Sequence, residues 1–179
     1  MFLEFEDYYI DTIHEKYAWR ICDFCTINEE RLKRFFPKTL EQNLTPDLSN
    51  YFVEKKIREF QAKEEFLFVL KEKENHSIIG LIYLKELDWE KKQGELAYAV
   101  GYQVEGKGYM TETVKAISNW AFEELQLKTL QIITQKTNLA SVRVAEKCQY
   151  IWKGLLIAEH TPPGELPLDM ELYELSYEG

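Results

Sequence analysis

Strand-like and helix-like stretches follow one another along the chain, because its hydrophobic positions recur with two different periods. Period-two alternation or a short apolar run, each typical of strands, occurs at 2–13, 65–70, 77–87, 95–100, 129–134, 150–159 and 168–176. Helical spacing occurs at 15–36, 46–60, 110–125 and 138–148. Elements in this order predict an α/β or α+β chain.

Several residues of the types that begin or end helices mark the helix boundaries. Asn28 is predicted to break the first helical region and Pro37 to stop it. Thr45 followed by Pro46 predicts the start of a second helix, since threonine caps the free N–H groups and proline suits the first helical position. Asn138 is predicted to cap the last helix in the same way.

The chain contains no repeat and no Pro/Gly/Ser-rich linker that would divide it. Its 179 residues are enough to bury a substantial core, and a hydrophobic content of 45% argues against disorder. Residues 1–179 are therefore predicted to form a single domain.

A glycine-containing segment between a strand and a helix is the first candidate for chemistry. The apolar run 96–100 leads into Gly101-Tyr-Gln-Val-Glu-Gly-Lys-Gly-Tyr-Met-Thr-Glu-Thr113, and a helical pattern follows. A loop that opens a helix gathers unpaired backbone N–H groups at the positive end of the helix dipole. This arrangement favours a phosphate-bearing ligand.

Three phosphate-binding patterns were compared with this segment. A P-loop requires Ser or Thr after the lysine, but Gly108 follows Lys107. A dinucleotide fingerprint requires a third glycine where Thr111 stands. The pattern Gln/Arg-x-x-Gly-x-Gly/Ala is matched at every specified position by Gln103-Val-Glu-Gly-Lys-Gly108. An ordinary turn that uses glycine only for its backbone freedom remains the alternative for these six residues alone.

Charge and cysteine content exclude some partners. A net charge of −9 argues against nucleic acid, and an acidic surface serves solubility or attracts cationic acceptors. No apolar run reaches about 18 residues, and the acidic start does not resemble a signal peptide, so we expect a cytoplasmic protein without a membrane partner. Cys22 and Cys25 lie in a helical pattern without a second pair or a histidine, and no metal site is expected.

Taken together, three stretches resemble the GNAT N-acetyltransferases, in the branch of the RimJ/RimL ribosomal-protein acetyltransferases. They are Gly94-Glu-Leu-Ala-Tyr-Ala-Val100, Gly106-Lys-Gly-Tyr-Met-Thr-Glu-Thr-Val114, and Asn138-Leu-Ala-Ser141 followed by Ala145-Glu-Lys-Cys-Gln-Tyr150. The resemblance implies a GNAT fold, in which a mixed central sheet has a splayed strand pair that binds acyl-CoA and is flanked by about four helices. It also implies acetyl-CoA as cosubstrate, no metal, and a monomer or homodimer.

The resemblance assigns the cofactor to a continuous segment and to one helix start. The coenzyme diphosphate is expected on the amides of residues 104–110, the pantetheine along the strand near Val100, and a further contact at Asn138. Gly106 and Gly108 would let the anion approach the backbone. The expected cofactor-binding residues are Val100, Gln103, Val104, Glu105, Gly106, Lys107, Gly108, Tyr109, Met110, Asn138 and Ser141.

Two residues are predicted to act in catalysis. Glu95 begins the central strand where relatives often carry a glutamate, and it would accept the proton of the acceptor amine. Its alternative is a carboxylate at the rim, because alternation alone does not fix its face. Ser141 would donate to the departing thiol, or would only hydrogen-bond within its helix. The chain departs from the family at Ala145, where many members have tyrosine, and at Gln149, where glycine is usual.

The resemblance predicts transfer of an acetyl group from acetyl-CoA to a primary amine, on a protein N-terminus or a small molecule, by direct attack. The alternative is a non-catalytic domain that binds or senses acyl-CoA. The loop between the last two strands, with Glu159, His160 and Glu165, would border the acceptor.

Overall fold

The computed structural model describes residues 2–177 and contains eight strands and six helices in that range. The strands are β1 (Leu3–Glu4), β2 (Tyr8–Thr12), β3 (Phe66–Glu72), β4 (Ile78–Asp88), β5 (Gln93–Val100), β6 (Thr129–Thr134), β7 (Ile151–His160) and β8 (Leu168–Ser176). The helices are α1 (Ala18–Ile27), α2 (Glu29–Phe35), α3 (Pro37–Glu41), α4 (Pro46–Ala62), α5 (Tyr109–Glu123) and α6 (Leu139–Lys147). The sheet has the order β1-β2-β3-β4-β5-β6-β8-β7 and is mixed, because β5 and β6 run parallel whereas β6, β8 and β7 are antiparallel.

Two compact units make up the described residues. The first comprises residues 2–83, 98–105 and 162–164. The second comprises residues 84–97, 106–161 and 165–177.

The first unit is built around β3, whose residues are buried from Phe66 to Lys71. A strand buried on both faces is almost continuously apolar, which is why this segment shows a hydrophobic run rather than clean alternation. Helix α4 packs against β3 and against α1. The largest fully buried side chains of this unit are Tyr8, Ile10, Tyr17, Ile21, Leu32, Leu67, Phe68, Leu70, Ile79, Leu81 and Ile82.

The N-terminal segment is a hairpin rather than the single strand predicted over residues 2–13. β1 pairs antiparallel with β2, with Leu3 opposite Ile10. The Phe5 N–H donates to the Tyr8 carbonyl at 2.9 Å, which closes the turn around Glu6 and Asp7. Two consecutive acidic residues favour such an exposed turn over a continuing strand.

The first helical region contains two helices, α1 and α2, and the short helix α3 follows it, so that six helices flank the sheet instead of about four. The break at Asn28 is confirmed, and the Asn28 side chain donates to the Phe24 carbonyl at 2.8 Å. Pro37 follows the end of α2, as predicted, and it also begins α3. Proline has both effects because it lacks an N–H but has a helical φ.

Lys56 on α4 is buried between two glutamates of the first unit. Its Nζ lies 2.8 Å from Glu59 Oε2 and 2.5 Å from Glu65 Oε1. Burial lowers the pKa of Lys56, but the bonds to both carboxylates outweigh it and the pKa is raised. Burial raises the pKa of Glu59, and Lys56 more than offsets this, so the pKa is lowered. Both shifts favour the charged forms and stabilise the fold between the ordinary pKa values of glutamate and lysine.

We expect Lys56→Met to lower the free energy of unfolding by about 2 kcal/mol near neutral pH, because two partly buried carboxylates lose their shared cation. The difference from wild type should shrink as the pH falls through the lowered pKa of Glu59, since protonation removes the same interaction from the parent protein. Urea unfolding at neutral and acidic pH measures both effects.

Lys55→Met is the matched control for this prediction. Lys55 Nζ also approaches Glu59, at 3.4 Å from Oε1, but its side chain is 55% exposed. An exposed pair of this kind contributes less than about 0.5 kcal/mol. Equal losses for Lys55→Met and Lys56→Met would contradict the role assigned to burial.

In the second unit, helix α6 contacts both strand β6 and helix α5. The buried positions of β6, Leu130, Ile132 and Thr134, alternate with half-buried ones, so one face of this strand is covered. A Cβ on Gly94 would lie 2.9 Å from Leu84 Cδ1, so a larger residue there would displace that side chain. The buried apolar residues of this unit include Leu84, Leu96, Val114, Ile117, Ala121, Leu127, Leu130 and Ile132.

Candidate functional site

The N-terminus of α5 has the geometry of an anion site. Gly106 and Gly108 have φ values of +78° and +85°, in the region that favours glycine. Gly108 caps α5, a helix of 15 residues, and no side chain forms the cap bond. A Cβ added at either glycine would meet no atom within 4 Å, so the space over this backbone is open. The first N–H groups of α5 thus face an uncovered approach, as binding of an anion requires.

Segment 100–105 of the first unit is held by several hydrogen bonds. The Gly101 N–H donates to the Ile79 carbonyl at 2.8 Å. Because consecutive N–H groups of a strand point to opposite sides, the Val100 N–H points away from β4. Residues 102–104 form a short 3-10 turn in which Val104 is buried. The Gln103 side chain folds over Gly101, where a Cβ would collide with it, so it braces the turn.

Arg31 is the counter-charge of Glu105, and sequence reasoning missed it. Its Nη2 lies 2.8 Å from Glu105 Oε2, and its Nε donates to the Val100 carbonyl at 3.3 Å. The Glu105 side chain is 53% exposed. Lys107 places its Nζ 5.7 Å from the centre of the Tyr109 ring. Only a contact between distant parts of the chain reveals the partner of Glu105.

Asn138 and Ser141 lie together at the start of α6. The Asn138 side-chain oxygen accepts from the Ser141 N–H at 3.3 Å, so the predicted cap is confirmed. α6 contacts α5, and the Cys148 thiol at its end donates to the Thr111 carbonyl at 3.4 Å. The second unit thereby joins the start of α5 to the end of α6. Gln149 has φ of +65°, in the left-handed region that favours glycine.

Glu95 lies on the face of β5 opposite its buried neighbours Gly94 and Leu96. Its side chain is only 13% exposed, and Lys85 Nζ lies 3.2 Å from its Oε1. Burial raises the pKa of Glu95, the charge and hydrogen bond of Lys85 lower it, and Glu86 and Glu159 raise it further. The net shift is upward, which makes the ionised carboxylate a stronger base than an exposed glutamate. A carboxylate at the solvent-exposed rim of the sheet would not be buried to this extent.

The parallel pairing of β5 with β6 is short. It runs from Gln93 opposite Thr129 to Glu95 opposite Gln131, although β5 continues to Val100 and β6 to Thr134. β6 remains paired with β8 through Thr134. Within the described part of the second unit, Leu96 and Ala97 thus extend β5 beyond its register with β6. A strand that leaves its partner exposes backbone groups with which an extended ligand pairs.

The cysteines do not form a nucleophilic or metal centre in the described residues. Cys148 is buried, and burial raises the pKa of its thiol to about 11. Burial similarly raises the pKa of Cys25 to about 12. Thiols held in the neutral form are poor nucleophiles. Within residues 2–177, no group of three or more His, Cys, Asp and Glu side chains is placed to hold a metal ion.

Two further expectations concern the end of the chain and the membrane. Glu159 and His160 belong to the end of β7 and not to the loop where they were expected, because β7 continues through His160 before the connection to β8 begins. Glu165 does lie in the connection between β7 and β8. None of the helices in the described range is both long and apolar enough to cross a membrane.

Comparison with known proteins adds three findings. The ribosomal-protein-S5-alanine acetyltransferase from Vibrio fischeri superposes with a TM-score of 0.92 at 21% identity, over 98% of this chain and 96% of that one. RimL, a ribosomal L7/L12 α-N-protein acetyltransferase solved with coenzyme A, gives 0.87 at 14% identity, over 97% and 96%. Probable N-acetyltransferase YjcK of Bacillus subtilis (strain 168) is 32% identical over 110 residues, or 56% of this chain and 59% of that protein.

The matched stretches span about half the length of the curated relatives, between 43% and 59%. The solved structures share the fold, including its mixed sheet. The domain model described as acetyltransferase (GNAT) domain matches residues 12–151, which is most of the chain. The predicted family is thus confirmed, and the chain belongs to the GNAT acetyltransferases.

Proposed function

We propose that this protein transfers an acetyl group from acetyl-CoA to a primary amine. The observation that carries the proposal is the pair of glycines with positive φ at the open start of α5, in a chain of the GNAT family. Such a backbone binds the diphosphate of a coenzyme through N–H groups and the helix dipole. RimL, of similar fold, was solved with coenzyme A, which supports this choice of ligand.

The coenzyme would be held by backbone more than by side chains. Amides of residues 104–110 would bind the diphosphate, with Gly106 and Gly108 allowing close approach. Val100 offers an N–H that points away from β4 and is suited to polarise the thioester carbonyl. Gln103 and Glu105 would contribute through their backbone, since the Gln103 side chain lies over Gly101 and the Glu105 carboxylate pairs with Arg31. The proposed set of coenzyme-binding residues is completed by Lys107, Tyr109, Met110 and Asn138.

The reaction needs a neutral amine and a protonated leaving thiol. Amines with a pKa near 8 to 10 are mostly protonated at neutral pH, so a base accelerates attack by about 10²- to 10⁴-fold. Glu95 would accept the amine proton, because burial makes its carboxylate more basic than usual. The amine nitrogen would form a bond to the acetyl carbon and the carbon–sulfur bond would break. Ser141 would donate its proton to the departing sulfur and regain one from solvent, to which Glu95 would release the amine proton.

The acceptor class is an amine on a protein N-terminus or on a small molecule. The name of the Vibrio fischeri protein specifies an alanine of a ribosomal protein, and that specificity belongs to that protein. The test measures CoA release from acetyl-CoA with a panel of amines. The panel contains a peptide that begins with Ser or Ala, spermidine, an aminoglycoside and a free amino acid. Release of CoA with at least one amine supports the acetyltransferase. Saturable binding of CoA without its release, with every amine and at every pH tested, supports the non-catalytic binding domain.

Ser141→Ala tests the proposed proton donor. We expect kcat to fall about tenfold with little change in KM, because a thiolate that receives no proton is a poorer leaving group. Steady-state kinetics with the best amine of the panel measures both parameters.

Ser141→Thr is the conservative variant that keeps a hydroxyl, and it should recover most of the lost kcat. If Ser141→Ala and Ser141→Thr lower kcat equally, or if neither changes it, the hydroxyl does not protonate the departing thiolate. Far-UV circular dichroism of both variants verifies that α6 remains folded.

A further inference from the structure

Two side chains at the junction of α1 and α2 hold the segment that follows β5. Asn28 stands between the two helices, is 2% exposed and accepts the Tyr102 N–H at 3.1 Å through its side-chain oxygen. Arg31, in the first turn of α2, donates from Nε to the Val100 carbonyl at 3.3 Å. The same guanidinium pairs with Glu105, at 2.8 Å from Nη2 to Oε2. These partners lie 69 to 74 positions away in the sequence, so all of the contacts are tertiary.

The peptide group that joins Val100 to Gly101 is bonded at both ends. Its carbonyl oxygen accepts from Arg31, and its N–H donates to the Ile79 carbonyl at 2.8 Å. A peptide plane that is held at both its acceptor and its donor cannot rotate without losing a hydrogen bond. Arg31 therefore fixes the backbone immediately after Val100.

The preceding peptide group carries the N–H that is proposed to polarise the thioester carbonyl. A Cβ added at Gly80 would lie 3.0 Å from the Ala99 carbonyl oxygen, so this oxygen points toward β4. The carbonyl and the N–H of a trans peptide point in opposite directions, so the Val100 N–H points away from β4. The two peptide planes meet at the α-carbon of Val100, so a restraint on the second plane also limits rotation of the first.

We propose that Arg31, assisted by Asn28, is a positioning residue for acetyl transfer. By holding the Val100 carbonyl, Arg31 keeps the Val100 N–H in the direction from which it donates to the thioester oxygen as negative charge develops there. Such donors act because they are oriented in advance, and a displacement of about 1 Å lowers a rate by up to about 10²-fold. Glu105 in turn holds the guanidinium, because both Nη atoms of Arg31 bond to its Oε2. This role rests on the proposed function, in which acetyl-CoA is the cosubstrate.

An arginine suits this position better than a lysine. Its planar guanidinium presents five donors in a fixed fork, so one side chain bonds a carbonyl through Nε and a carboxylate through its Nη atoms. A lysine has a single ammonium and does not reproduce both contacts. The side chains of Arg31 and Glu105 are 34% and 53% exposed, so their ion pair adds little to stability. The contacts of Arg31 thus serve the segment that follows β5 more than the stability of the fold.

Infrared spectroscopy of bound acetyl-CoA, labelled with ¹³C at the acetyl carbonyl, measures the polarisation directly. Without an amine, wild type should shift the carbonyl stretch to a lower frequency than in free acetyl-CoA, because donation from the Val100 N–H weakens the double bond. Arg31→Ala at saturating acetyl-CoA should lose at least about half of this shift. Its kcat should fall about tenfold or more, while CoA affinity stays within about threefold of wild type.

Arg20→Ala is the matched control. Arg20 on α1 also donates to a distant backbone carbonyl, that of His76, at 2.9 Å from Nη1. Its loss should leave the carbonyl shift and kcat within about twofold of wild type. Arg31→Lys keeps the charge beside Glu105 but lacks the fork, so it should remain closer to Arg31→Ala than to wild type. Melting temperatures verify that all three variants are folded.

The outcomes separate this role from the proposed function. If wild type transfers the acetyl group but Arg31→Ala keeps the full carbonyl shift and kcat, Arg31 does not position the Val100 N–H. Recovery of both quantities by Arg31→Lys, equal losses in Arg20→Ala, or a wild-type carbonyl without a shift would also overturn the role. A wild type that binds acetyl-CoA but releases no CoA with any amine contradicts only the proposed function, because the infrared comparison still tests the positioning. Absence of acetyl-CoA binding overturns both.

Discussion

Glu95→Gln should lower kcat for acetyl transfer by about 10²- to 10³-fold while CoA binding stays within about twofold of wild type. The glutamine keeps the size of the side chain and a hydrogen-bonding oxygen but removes the basic carboxylate. The effect should be large because burial raises the pKa of Glu95 despite the nearby Lys85, and the ionised group is correspondingly basic. Steady-state kinetics and calorimetry with CoA measure the two quantities.

The pH dependence adds a signature that a structural role would not produce. Ionised Glu95 is the active form, so wild-type kcat should fall as the pH decreases through a pKa above the ordinary value for glutamate of about 4.3. The variant cannot ionise at this position, and the corresponding acidic limb should be absent from its profile. Retention of the same limb in Glu95→Gln would assign it to another group.

Glu174→Gln is the matched control for this substitution. Glu174 lies opposite Gln131 on β6, and Gln131 lies opposite Glu95 on β5, so the three side chains share one face of the second unit. The Glu174 carboxylate accepts from the Gln131 side chain at 2.8 Å, a bond that glutamine can also form. We expect kcat within about threefold of wild type. Equal losses in both variants would show that the charge of this face, and not a base at Glu95, supports catalysis.

The order of elements and the glycine loop before α5 were predictable because they depend on local residue types. Thr45 and Asn138 act as caps, and each accepts a hydrogen bond from the backbone N–H group three positions later in the chain. The glycines at 106 and 108 were recognised because a positive φ restricts the choice of residue, and a single sequence displays that restriction directly.

Contacts between distant residues could not be predicted in the same way. The pairing of Arg31 with Glu105 joins residues 74 positions apart, and nothing in either local sequence selects the other. The face of Glu95 was ambiguous because alternation defines two faces without stating which is covered. The bulges of β7 were also missed, since an extra residue in a strand leaves the composition typical of strands unchanged. These features arise from tertiary packing.

The second large effect is expected when Gly106 and Gly108 are both replaced by alanine. CoA affinity should fall about 100-fold or more, because methyl groups would occupy the open space over the amides and lengthen two charge-assisted hydrogen bonds. A coenzyme analogue that lacks the diphosphate, such as acetyl-pantetheine, should lose much less affinity. Calorimetric titration of both ligands into the variant and the wild type gives this comparison.

Backbone strain must be separated from loss of the anion contact, and Gly164 provides the control. Its φ is +74° and a Cβ there would also meet no atom within 4 Å, so alanine at Gly164 introduces similar strain of about 1–2 kcal/mol. Gly164→Ala should therefore lower the melting temperature without changing CoA affinity. If Gly164→Ala weakens CoA as much as the double variant, or if the double variant binds CoA normally, the amides at the start of α5 do not hold the diphosphate, and the carrier of the acetyl group must bind elsewhere.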